Sequence, residues 1–250
     1  MIAQTSASTS ASSSFGSDSP ARVSVGGFAF ESGATLAVEI ARDGDSRCLP
    51  DPVFVERWVL LGANERRVSE SPAEPQAAIA DWIGIVPLRS ESQPLPPGHY
   101  ALVLTTSVGE FRAEFEIADS PAFARFGRFS VEASVCGLSL RLYRLLTDED
   151  HGAQIALRQG DLLMVALPGN ITTGYEWTNT LSYEYAVLRE IAEREYRPDP
   201  VAPGIVGSGG TFLFRYRAIA PDEQAFRFVY QRPWESVQPA QIVEFTVRVH

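Results

Sequence analysis

A chain of 250 residues, 45% hydrophobic and 21% charged, can bury a core and has room for one large domain or two of ordinary size. Its formal net charge of -10 argues against nucleic acid and anionic membrane surfaces as partners, since both reward clustered basic residues. No apolar run approaches the roughly 20 residues of a membrane-spanning helix, and every fixed cation is an arginine, because the sequence contains no lysine.

Residues 1–20 are rich in Ser, Ala and Thr and lack both the basic start and the apolar run of a secretory signal. They read as a disordered tail. The expected location is cytoplasmic by default, with export if the true start lies upstream. From there the pattern is β-like. Runs at 22–30, 35–41, 53–61, 100–106 and 110–117 alternate or cluster apolar residues over strand length, and Gly, Pro, Ser and Asp punctuate them. This spacing predicts a β-sandwich over 21–120. Trp58 within a strand-like run, and Tyr100 after Pro96-Pro97-Gly98-His99, stand where an immunoglobulin-like sandwich has its core tryptophan and corner tyrosine. The polar, proline-rich segment 69–76 reads as a loop, and 81–88 fits either a strand or the end of a short helix.

Ala118-Asp119-Ser120-Pro121 closes this series and places a domain boundary at 120–127, with 123–127 positioned to pack between domains. A second β-series follows over 128–250, with strands expected near 129–135, 138–145, 154–157, 162–167, 175–181, 186–193, 211–217, 225–231 and 241–249. The fold class is therefore all-β, with two sandwich domains. Cys48 and Cys136 form neither a disulfide framework nor a zinc motif; they read as two separate thiols or as one bridge tying the halves. Asp148-Glu149-Asp150 reads as a solvated turn, because its spacing is wrong for a calcium loop.

Catalytic chemistry finds little support. None of His99, His151 and His250 adjoins a serine or cysteine motif, and Ser208 lies in Gly-Ser-Gly, not in the Gly-x-Ser-x-Gly elbow of a hydrolase. The chain reads as a non-enzyme with no metal and no organic cofactor.

Three stretches of turn chemistry carry the functional reading: Asn170-Ile171-Thr172-Thr173-Gly174-Tyr175, Gly207-Ser208-Gly209-Gly210 and Arg232-Pro233-Trp234. Two expected strands separate each from the next. In an antiparallel sandwich an even number of strands returns the chain to the same end, so the three loops should share one edge. The glycines allow positive φ and close approach. Thr172 and Thr173 offer compact hydroxyls. Pro233 pre-sets the backbone before Trp234, an exposed interface anchor, whereas Trp177 belongs to a strand and to the core. Arg232 can pair with a carboxylate or stack on a ring.

In this order and spacing the three motifs resemble those of the chagasin-like inhibitors of cysteine peptidases, whose pattern is Asn-Pro-Thr-Thr-Gly-Tyr/Phe, Gly-x-Gly and Arg-Pro-Trp/Phe. The resemblance covers about residues 128–250. It implies an immunoglobulin-like β-fold, a chain that is monomeric when free, and a papain-like cysteine peptidase, of the same or a foreign organism, as partner. It further implies that Thr172-Thr173-Gly174 sits over the catalytic cysteine. The glycine turn would lie on one side of the cleft and Arg232-Pro233-Trp234 on the other. Ile171 departs from the family proline, and the backbone is expected to stay extended there. A different class remains open from the residues alone: an adhesion or carbohydrate-binding module using Trp234 on a sugar.

Overall fold

The computed structural model describes residues 21–31, 33–42, 54–71, 82–90, 93–107, 109–118, 132–135, 138–180, 187–199 and 209–250. The expected N-terminal tail, the boundary at 120–127, most of the 69–76 loop and both cysteines lie outside the described residues.

The first unit contains β1 (Ala21–Glu31), β2 (Thr35–Arg42), β3 (Val55–Leu61), β4 (Arg67–Glu70), β5 (Trp82–Pro87), the short pair β6 (Arg89–Ser90) and β7 (Gln93–Pro94), β8 (Gly98–Thr106) and β9 (Gly109–Ala118). Within segment 81–88, Trp82–Pro87 is thus a strand. The second series contains β10 (Glu132–Val135), β11 (Leu138–Leu146), β12 (Gln154–Leu157), β13 (Leu162–Gly169), β14 (Glu176–Asn179), β15 (Leu188–Pro198), β16 (Gly210–Ala218), β17 (Asp222–Gln231) and β18 (Gln241–Val249). Asp148–Asp150 forms a 3-10 turn capped by Thr147, whose hydroxyl accepts from the Glu149 amide while the Asp150 carboxylate accepts from the Thr147 amide.

Period-two patterning explains the strands. In β9, Phe111, Ala113, Phe115 and Ile117 are buried and alternate with Arg112, Glu114 and Glu116. In β18, Val243, Phe245, Val247 and Val249 do the same. β1-β9-β8-β3-β4 make one sheet, β12-β18-β17-β14 another, and β15-β16-β13-β11-β2-β5 a third, to which β10 adds on β11.

The third sheet belongs to both halves of the chain. Residues Leu138 to Leu145 of β11 pair antiparallel with β2, and residues Arg144 to Leu146 pair parallel with Leu163 to Val165 of β13. On one face of β11, Leu140 and Leu142 enter a core with Leu102 and Phe115, while Leu146 enters a second core with Trp177, Phe214 and Phe228. On the other face, Tyr143 and Leu145 pack with Ala37, Met164 and Leu213. The expectation of two adjacent sandwiches had no place for this common sheet.

A buried ionic cluster crosses the same joint. Glu39 of β2 and Arg215 of β16 are 2% and 4% exposed. Arg215 donates from Nε to Glu39 Oε1 at 2.8 Å and from Nη2 to Glu195 Oε2 at 2.5 Å. The Tyr143 hydroxyl donates to Glu39 Oε2 at 2.6 Å, and Arg141 Nη1 lies 3.7 Å from that oxygen. Burial, with Glu39 beside it, holds the Tyr143 hydroxyl far above the ordinary phenol range, so it remains a donor. The register runs Arg215, Met164, Leu145, Thr35, and Glu39 lies further along β2. Three strand spacings across and four residues along would put Glu39 and Arg215 roughly 19 Å apart in a flat sheet, beyond the reach of the two side chains. The sheet therefore folds at β11, and its two wings close on each other around Tyr143, Leu145 and Met164.

Candidate binding edge

β13 and β17 end, and β14 and β18 begin, at one end of the second sandwich. The first loop, Asn170 to Tyr175, is a capped turn. Its 3-10 segment Ile171–Thr173 starts at Asn170, whose Oδ1 accepts from the Thr172 amide at 3.0 Å and the Thr172 hydroxyl at 2.6 Å. The Thr173 hydroxyl donates to Asn170 O at 2.6 Å, and the Gly174 amide donates to Ile171 O at 3.0 Å. These bonds satisfy the turn's own donors, so the loop holds its shape without a partner. The backbone at Ile171 is consequently turned, not extended as expected. The correction has a local cause: Asn170 caps a turn and Gly174 closes it at φ +80°.

Arg232 fixes the third loop to the first. Its Nε donates to Thr173 O at 3.1 Å, its guanidinium lies 4.8 Å from the Tyr175 ring centroid, and its Nη1 donates to Glu235 Oε1 at 2.8 Å. The neighbouring Trp234 lies over Gly174. A Cβ on Gly174 would stand 2.5 Å from Trp234 Cη2, so this position excludes side chains twice, by its positive φ and by the indole. Pro233 and Trp234 form the turn that follows β17.

The second loop is described only in part: Gly207 and Ser208 lie outside the described residues, and Gly209 and Gly210 are within them. Gly210 pairs with Pro198 of β15 and with Gly169 of β13, the residue just before Asn170. The Asp199 amide donates to Gly209 O at 3.0 Å. A Cβ on Gly210 would run into the Tyr196 ring at 2.5 Å. The structure thus brings together every described residue of the three motifs.

Beneath the loops lies an aromatic floor that the motifs did not reveal. Tyr230 stands 5.2 Å from the Tyr175 ring and 5.1 Å from Trp177, and its hydroxyl accepts from the Asn170 amide at 2.8 Å. Tyr196 packs 4.8 Å from Phe212 and reaches Gly169 O at 3.5 Å. Trp177 is fully buried, as expected, and donates from Nε1 to Pro168 O at 2.8 Å. The period-two position of Tyr230 in β17 marks it as inward, yet only the fold shows that its hydroxyl reaches the first loop. Above the floor the edge is apolar and exposed. Ile171, Trp234 and Val237 are 41%, 69% and 61% exposed, and among the described residues only Phe54 and Ile85 are other large hydrophobic side chains so exposed. Among the described residues no group of three His, Cys, Asp or Glu is placed to hold a metal ion.

The profile of the chagasin family of peptidase inhibitors matches residues 156–249. Amoebiasin-1 of Entamoeba histolytica is 31% identical over 97 residues, which cover 36% of this chain and 82% of that protein. The chain belongs to the chagasin family. Chagasin of Trypanosoma cruzi is 28% identical over 89 residues, covering 36% of this chain and 81% of its own length. A solved structure of a cysteine protease inhibitor from Entamoeba histolytica covers 42% of this chain and 94% of its own length, at 20% identity and a TM-score of 0.39. The chagasin-family span contains all three loops and begins within β12, so β10, β11 and the first unit fall outside it. At the level of the family, residues 156–249 are a chagasin-family peptidase-inhibitor domain.

Proposed function

We propose that this protein inhibits papain-like cysteine peptidases by seating the three loops in the active-site cleft, without chemistry of its own. The observation that carries the reading is the pre-built edge. An exposed apolar series of Ile171, Trp234 and Val237 stands on loops whose polar groups are already bonded to one another. Such a surface loses little conformational freedom on docking, and its burial is favourable without new polar partners. In this reading Thr172-Thr173-Gly174 covers the catalytic cysteine. The Gly207-Ser208-Gly209-Gly210 turn lies along one wall, and Trp234, beside Arg232 and Pro233, lies along the other.

The position of the first unit supports the same reading. β11 runs parallel to β13 and ends level with its middle, so the part of β11 that pairs with β2 extends away from the loop end. The described strands of the first unit therefore leave the edge open. We also infer that the first unit is immunoglobulin-like. Its strand order β1-β9-β8-β3-β4 against β2-β5, and the Tyr100 hydroxyl donating to Pro96 O at 2.9 Å near the start of β8, support that inference.

The test is titration of the full chain against papain and a mammalian cathepsin L with a fluorogenic substrate. Tight inhibition is expected. Trp234→Ala should raise the inhibition constant roughly thirtyfold or more, the equivalent of about 2 kcal/mol for a buried aromatic anchor. Thr173→Ala should raise it less, since it removes only a hydroxyl and a methyl group. Unchanged constants for both folded variants would remove the loops from the mechanism.

A further inference from the structure

Among the described residues the first unit contributes none to the edge, yet it supplies Glu39 to a side chain that leads there. Arg215 is held on one side by Glu39 and on the other by Glu195 of β15. β15 needs such a hold. Its pairing with β16 slips twice, between Glu190 and Ala192 and again between Ala192 and Glu195, so the regular ladder from Leu188 does not set the register of its last residues. After the second slip, Glu195 pairs with Leu213, Tyr196 with Phe212, Arg197 with Thr211 and Pro198 with Gly210. Glu195 is the first residue of this reset stretch, and its carboxylate is fixed by Arg215 and by Arg197 Nε at 2.5 Å.

The next residue, Tyr196, is the one that matters to the loops. Its ring fills the space above Gly210 and packs on Phe212, and its hydroxyl reaches Gly169 O beside Asn170. A slip of one residue would turn Tyr196 to the opposite face and take the floor from the first and second loops together.

We propose that the first unit sets the register of the second inhibitory loop through this cluster, so that Glu39 and Arg215 are positioning residues for inhibition. The proposal rests on the inhibitor reading for its consequence, but its structural half can be read without any peptidase. Glu39 is itself oriented by Tyr143 and Arg141, so the cluster is built from β2, β11, β15 and β16 and involves both wings of the folded sheet.

The test uses the full chain in three forms. Glu39→Gln keeps the side-chain shape and removes the charge. Tyr143→Phe removes only one bond to Glu39. Ile117→Val trims the core of the first unit without touching the cluster. Each is measured for amide hydrogen exchange over residues 195–199 and 209–212, and for inhibition of papain. Glu39→Gln is expected to speed exchange across both segments and to raise the inhibition constant about tenfold. Tyr143→Phe should shift both in the same direction by less, and Ile117→Val should shift neither. Parent-like exchange in a folded Glu39→Gln protein would overturn the proposal, as would an equal change in Ile117→Val. If the parent chain inhibits no papain-like enzyme, the inhibitor reading fails by itself, and the exchange comparison still decides whether Glu39 sets the register.

Discussion

Gly174 is constrained twice over, by its backbone and by its neighbour. Its φ of +80° costs a side-chain-bearing residue about 1–2 kcal/mol, and the Trp234 indole occupies the place of a Cβ. Gly174→Ala should therefore lower stability by roughly that amount in urea unfolding and displace the indole, seen as a change in tryptophan emission and a weaker inhibition constant. Much at this scale was legible beforehand. Trp177 follows the loop on a strand and is buried; Trp234 follows a proline in a loop and is exposed. Arg232 was readable as a stacking or carboxylate-pairing cation, and it does both, but with Tyr175 and Glu235 of its own chain. The link from Tyr230 to the Asn170 amide was not legible, because 60 residues separate the partners and neither neighbourhood records the other.

Among the elements, the first loop shows what a local signal offers when it is read. Asparagine before a short turn and glycine after it are the cap residues of a helical segment, and the backbone of residue 171 follows from them. This geometry suits the family proline. Position 171 is the first of the turn, where proline's fixed φ is favourable, and Asn170 at φ -137°, ψ 101° already has the extended backbone that a following proline demands. Ile171→Pro is expected to tighten inhibition by a factor of a few, through a stiffer free loop. Weaker inhibition by the folded variant would count against it. β15 gives the pH-dependent case. Burial pushes the Glu195 carboxyl up, but Arg197 and Arg215 outweigh it and hold its pKa below the ordinary 4.5. Its contribution to stability is thus full above 4.5 and is lost as the pH falls from there through the lowered value. The gap in melting temperature between the parent and Glu195→Gln should be widest above pH 4.5 and close below it.

Taken as a whole, the molecule has one sheet serving both halves of the chain, and the cluster of Glu39, Tyr143 and Arg215 buried across it. Separating the halves would strip β2 from β11 and leave Arg215 without Glu39, and removing one partner of a buried pair is costly. The full chain should therefore unfold in a single transition, with calorimetric and van't Hoff enthalpies in agreement. The excised 128–250 segment should melt lower than the same residues within the full chain. The class of the fold was open to reading because alternation is local. The shared sheet was not, since Glu39 and Arg215 lie 176 residues apart and strand partners leave no trace in the period of either strand.

β18 leaves the loop edge at Gln241, which pairs with Tyr230, and runs to Val249, which pairs with Asp222 at the far end. Nine residues of strand put that exit about 30 Å from Trp234. Whatever is joined after His250, a surface tether or a reporter, departs on the side away from the loops. The protein can be held by that end with its loop edge turned outward to solution.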